Sequence, residues 1–211
     1  MSTDNNNPNQ YSVTFIDFLF TFAILIGLVP EGNGIRLKGI FSENWILHTH
    51  LPNVNELFTF LTFLICFLVV VLSWFGYHRA IEKYPHSKNS LLGIARFVID
   101  VLLVLLYTLL LMEYKSLKSV LIITVIIFAL YVIWDICLVF EYDFQSRVKA
   151  GSSFRNAYRA QFVTFIWFLL ILILLCCQPI LSKWIVVSLA IVFVVMHRVN
   201  KIYPIFKSFW S

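Results

Sequence analysis

The sequence predicts an all-α polytopic membrane bundle of six transmembrane helices with both termini cytosolic, and three observations carry that expectation. Of its 211 residues 60% are hydrophobic and 13% charged, with a mean hydropathy of +0.86, which excludes a soluble globular domain. Six apolar runs cover 13–29, 57–77, 91–112, 120–140, 162–177 and 180–196. At about 1.5 Å per residue each reaches, or nearly reaches, across a hydrocarbon core of about 30 Å. The runs are continuous rather than alternating, which argues for helices and against a barrel. The longest polar segments, 30–56 and 141–160, are too short to fold alone. The organisation is therefore a polar tail at 1–11, a six-helix domain at 12–200 and an interfacial aromatic and basic tail at 201–211.

Each element has its own signals. The tail at 1–11 is Asn-rich and lacks Lys and Arg, and no small-residue cleavage site follows 13–29, so the first span is expected to be retained. The second span leads into His78-Arg79 and Tyr84-Pro85, and the sixth into His197-Arg198 and Tyr203-Pro204. Basic residues suit the negative end of a helix dipole, Tyr suits the headgroup belt and Pro stops a helix. The echo supports two helices leaving the membrane on one side. Ser152-Ser153 can cap a helix that carries Arg155 and Arg159 into the fifth span. Only Gln178-Pro179 and their neighbours join the last two spans, a tight hairpin that either crosses or re-enters.

Basic residues set the orientation. With six spans, ten fall on the side of the N-terminus: Arg79, Lys83, Lys88, Arg147, Lys149, Arg155, Arg159, Arg198, Lys201 and Lys207. Five fall opposite: Arg36, Lys38, Lys115, Lys118 and Lys183. Both termini are accordingly expected inside, with Arg147, Lys149, Arg155 and Arg159 anchoring anionic lipid headgroups or meeting an acidic partner. The outer segment 30–56 is apolar enough to lie on the membrane or fold over the bundle.

Ionisable side chains lie inside the spans. Asp17, Arg96 and Asp135, with His78, share one inner-leaflet layer by rise per residue, and Asp100 lies a turn deeper. Arg96 and Asp100 stand i and i+4 on one helix face. A charge in lipid costs about 2.5–3.5 kcal/mol on insertion scales, so such residues face protein or water. The layer reads first as a structural network in which Arg96 holds Asp100 and Asp135 while Asp17 meets His78 or Trp74. A water-filled cation or proton path is the second reading, and a protonated Asp facing lipid the third.

No phosphate loop, HExxH or GxSxG motif or helical ligand pair is present, so no catalytic residue, cofactor or metal is expected. His48-Thr49-His50 lacks supporting acids, and Cys66, Cys137, Cys176 and Cys177 all fall in spans, as small core residues do.

Phe15-Ile16-Asp17 in the first span and Trp74 followed by His78-Arg79 in the second resemble elements of the six-helix potassium-channel family named for transmembrane protein 175. That family's first helix carries Arg-x-x-x-Phe-Ser-Asp, and its second a Trp followed by His and Arg. The resemblance covers barely a third of the chain and implies a homo-oligomeric channel lined by the first helix. Ile16 stands at the motif serine, Tyr11 at the arginine and Phe22 at the isoleucine constriction, while Thr21 matches the polar position beside it.

Two functions follow as expectations. One is a noncatalytic inner-membrane subunit that senses or perturbs the membrane with a cytosolic partner. Its composition, rich in Phe, Ile, Asn, Tyr and Lys, suits an AT-rich bacterial gene and an antiphage defence or stress system. The other is a cation channel lined by Asp17, Thr21, Ile24 and Leu28, one helical face. A proton-coupled transporter using Asp100 is disfavoured by the lack of Gly- or Pro-broken spans. A lipid bilayer and further copies of the chain are the expected partners, with no direct nucleic-acid contact.

Overall fold

The computed structural model describes residues 16–21, 54–84, 90–146 and 154–202. Residues 16–21 are helical and are called α1. They are followed by α2 (Val54–Lys83), α3 (Leu91–Met112), α4 (Leu117–Ser146), α5 (Phe154–Cys177) and α6 (Lys183–Ile202). Among the described residues there is no strand. Four helices among the described residues are long and apolar enough to cross a membrane, over Val54–Ile81, Leu91–Met112, Leu117–Glu141 and Lys183–Asn200, and α5 contributes a shorter apolar stretch, Phe162–Cys177.

Serines start three of these helices. Ser90 Oγ accepts from the Gly93 N–H at 3.3 Å, Ser116 Oγ from Ser119 N–H at 3.3 Å and Ser182 Oγ from Ile185 N–H at 3.4 Å. Each satisfies one of the orphan donors of a helix N-terminus. Helix α5 begins at Phe154, and the expected cap, Ser152-Ser153, lies outside the described residues. Glu113–Ser116 turns α3 into α4 through a Ser116 N–H to Glu113 carbonyl bond of 2.9 Å. After α5, Ile180 and Leu181 donate to the Cys177 carbonyl, both at 3.0 Å.

These short connections make neighbours antiparallel. Helices α2 to α6 pack in chain order, and α6 closes back on α2, so the five form a ring. Helix α1 joins at the α2–α3 junction: Ile16 and Phe20 are buried, and the Phe20 ring lies 6.3 Å from Tyr77 and 5.4 Å from Tyr107. The interior is apolar, with Val70 of α2, Leu110 of α3, Val120 and Ile127 of α4, Ile171 of α5 and Val187 of α6 fully enclosed. Lipid tails are as apolar as these side chains, so burial alone does not hold helices together in a bilayer. Close packing and polar ties do.

The structure moves several boundaries. Helices α2 and α4 overrun the apolar runs at 57–77 and 120–140, because polar residues continue a helix wherever they find partners. The run at 180–196 is displaced: Ile180 lies in the turn, 86% exposed, and α6 begins at Lys183 because Pro179 and the Ser182 cap reset the chain. The crossing at 13–29 lies outside the described residues apart from α1, as do the segment 30–53 with His48 and His50, the tail at 1–11 and residues 203–211 of the other tail.

Candidate functional site

The polar side chains gather at the end of the ring where α2, α4 and α6 finish and α3 and α5 begin. Three ties there join neighbouring helices.

The first tie joins α1 to α2. Asp17 Oδ1 accepts a hydrogen bond from Trp74 Nε1 at 3.1 Å and stands 2.7 Å from His78 Nε2. The Trp74 and His78 rings meet edge to face at 5.1 Å. Trp74 and His78 are one turn apart, so one face of α2 presents both to a single carboxylate. Both expected partners of Asp17 are in place. Asp17 and His78 are about a third exposed, and Thr21, one turn along α1, is exposed with its hydroxyl bonded to the Asp17 carbonyl at 2.9 Å.

The second tie joins α3 to α4 and caps α2. Arg96 and Asp100 are both buried on one face of α3. Arg96 Nη1 donates to Glu141 Oε2 at 2.5 Å, with both side chains essentially unexposed, and Nη2 donates to the Tyr84 carbonyl at 2.9 Å. The guanidinium carbon stands 4.5 Å from the Trp134 ring centroid. The apolar run stops at Phe140, and Glu141 opens the polar segment 141–160. The helix does not stop there, and Glu141 points back at Arg96. The missed signal is spacing: Trp134 and Glu141 are i and i+7, two turns apart on one face, and Arg96 touches both.

The third tie joins α4 to α5. Asp135 is buried and accepts a hydrogen bond from Thr164 Oγ1 at 2.5 Å. Residue 135 lies about 100° around α4 from Trp134, which turns Asp135 toward α5 while Trp134 faces Arg96.

A separate cluster surrounds Arg198. Its Nη2 donates to Ser73 Oγ at 2.8 Å and to the Tyr131 hydroxyl at 2.9 Å, and Tyr131 is 2.6 Å from the Tyr107 hydroxyl. The Ser73 hydroxyl also contacts the Val69 carbonyl and Tyr131. The Arg198 head group therefore sits among α2, α4 and α6. The two echoed His-Arg pairs therefore diverge: Arg79 is exposed and Arg198 is not, and His197 is buried against Phe128 at 4.9 Å.

Of the remaining candidates, Ile24, Leu28, Arg147 and Lys149 lie outside the described residues. Arg155 and Arg159 are on α5, and their side chains lie outside the described set. Among the described residues, no group of three His, Cys, Asp or Glu side chains could hold a metal ion, and all four cysteines are free thiols.

No family model matches the chain, and neither a curated protein nor a solved structure does. Among the described residues, fold and site together show a helical structure with four helices long and apolar enough to span a membrane, joined by polar ties.

Proposed function

We propose that the protein is a noncatalytic integral membrane subunit that senses or perturbs the bilayer and acts with a cytosolic partner, in a bacterial inner membrane and an antiphage defence or stress system. The direction of the charged side chains supports this reading most. Half-buried Asp17 and buried Arg96 and Asp135 each reach a neighbouring helix, an arrangement that fixes helices to one another. The basic segment holding Arg147, Lys149, Arg155 and Arg159 then offers a cytosolic surface for acidic lipid or protein.

A second reading, a homo-oligomeric cation channel lined by α1, draws on Asp17 and the exposed Thr21 one turn away. The engagement of Asp17 by Trp74 and His78 counts against it.

One pair of measurements decides between them. Purified protein in liposomes is expected to leave them tight to cations, and neutralising Arg147, Lys149, Arg155 and Arg159 together is expected to release a cytosolic partner in a pull-down. A robust cation current that Asp17→Asn alters would establish the channel instead, because a ring of carboxylates concentrates cations.

A further inference from the structure

Arg198 differs from Arg96 in what it touches. Arg96 meets Glu141 and Asp17 meets His78, but the partners of Arg198 are two hydroxyls and the Tyr131 ring, whose centroid lies 5.0 Å from its guanidinium carbon. Among the described residues no carboxylate stands within ion-pair distance of it. Its position makes this costly. Arg198 is two residues inside the end of the Lys183–Asn200 span, where a long basic side chain normally extends to the headgroups. It does the reverse. Cα–Cβ bonds lean toward a helix N-terminus, which carries the side chain back into the ring, to Ser73 of α2 and Tyr131 near the middle of α4.

Residue 76 makes room for it. A Cβ at Gly76 would collide with Arg198 Nη1 and crowd its guanidinium carbon, so the head group occupies a notch that only glycine leaves open. What would be displaced is the free end of a flexible side chain, not backbone. Arg198 thus has a second place to go, the nearby headgroup layer, and a charge-assisted bond to phosphate there is stronger than one to a neutral hydroxyl.

We propose that Arg198 is a two-position latch between α6 and α2 that anionic lipid headgroups release. In one position the guanidinium fills the Gly76 notch and ties α6 to α2 and α4. In the other it pairs with a lipid phosphate, and the inner end of α6 loosens. This rests on the membrane-sensing reading and names what is sensed, the net negative charge that anionic headgroups give the adjoining leaflet. A ligand shifts such an equilibrium only by its preference for one position. One arginine's attraction to an anionic surface sets that preference at about fivefold.

The test is hydrogen exchange of the full-length protein in nanodiscs, read at the inner end of α6, residues 194–202. Nanodiscs of phosphatidylcholine are compared with nanodiscs containing phosphatidylglycerol. Exchange at this end is expected to rise about fivefold with phosphatidylglycerol in the wild type. Arg198→Gln is expected to exchange fast in both lipids, without a lipid response. Gly76→Ala keeps the arginine but fills the notch, and is expected to behave as Arg198→Gln does, which covers the case in which the first variant does not fold. Equal wild-type exchange in both lipids, or a lipid response that survives Gly76→Ala, would overturn the latch. A cation current together with lipid-dependent exchange would overturn the subunit reading and leave the latch standing.

Discussion

Removing the Arg96 guanidinium is the most severe single perturbation the structure offers. Its side chain is 0% exposed and that of Glu141 1% exposed, at 2.5 Å. Arg96→Met leaves Glu141 buried without its cation and takes a donor from the Tyr84 carbonyl at the end of α2. Breaking a buried pair from one side costs about 3–5 kcal/mol. The stacking over Trp134 adds to the loss, by about 0.5–2 kcal/mol. These overlap and do not sum, so a loss of about 4 kcal/mol is expected. Replacing both partners, Arg96→Met with Glu141→Met, removes the stranded charge and should restore most of the loss. A deficit of about 1–3 kcal/mol should remain, because the bond from Arg96 to the Tyr84 carbonyl is still missing. The assay is reversible SDS unfolding in mixed micelles, followed by fluorescence of the six tryptophans. A loss below about 1 kcal/mol in the single variant, or a double variant no better than the sum of the singles, would refute the buried-pair reasoning.

Thr164→Val should destabilise by about 1–3 kcal/mol in the same assay, since it withdraws a hydrogen bond from buried Asp135 while keeping volume. Tyr131→Phe removes the hydroxyl shared by Arg198, Ser73 and Tyr107 and should cost about 1–2 kcal/mol, less than Arg96→Met; a neutral effect would show that the hydroxyls repair themselves. Reporter fusions after Glu56, Ser119 and Ser182 should report the outside and those after Asn89 and Ala160 the inside, and an inside signal at Ser182 would break the six-span topology.

Hydropathy made the long helices legible. Run 91–112 coincides with α3, because Ser90 caps one end and polar Glu113 follows the other. Elsewhere hydropathy ended a helix at its first charge, which fails where that charge has a partner, as Glu141 does. The Asp17 tie was legible because Trp74 and His78 share a helix face by spacing alone. Thr164 and Tyr131 were not legible. A hydroxyl inside an apolar run carries no periodic signal, and its role depends on which helix is opposite, a fact of tertiary packing. Arg198 misled for a related reason: composition says that an arginine near a helix end belongs to water, whereas the direction of the Cα–Cβ bond and the bare surface of Gly76 sent it inward.

The helices of the ring are unequal in a way that a bilayer registers. The apolar span of α2 has 28 residues and that of α4 25, against 18 in α6. At about 1.5 Å per residue α2 measures about 42 Å, some 12 Å more than a hydrocarbon core of about 30 Å. Standing upright it would project; tilted by about 45° it would fit. The α2 span ends just past His78, so bilayer thickness decides whether the Asp17–His78 tie, about a third exposed, meets the wet interface or hydrocarbon. In a thin membrane that tie is hydrated and weak. In a thick one it is dry, stronger between its partners and more damaging to lose, so Asp17→Asn should be more severe as acyl chains lengthen, whereas Arg96, enclosed by protein, should respond little.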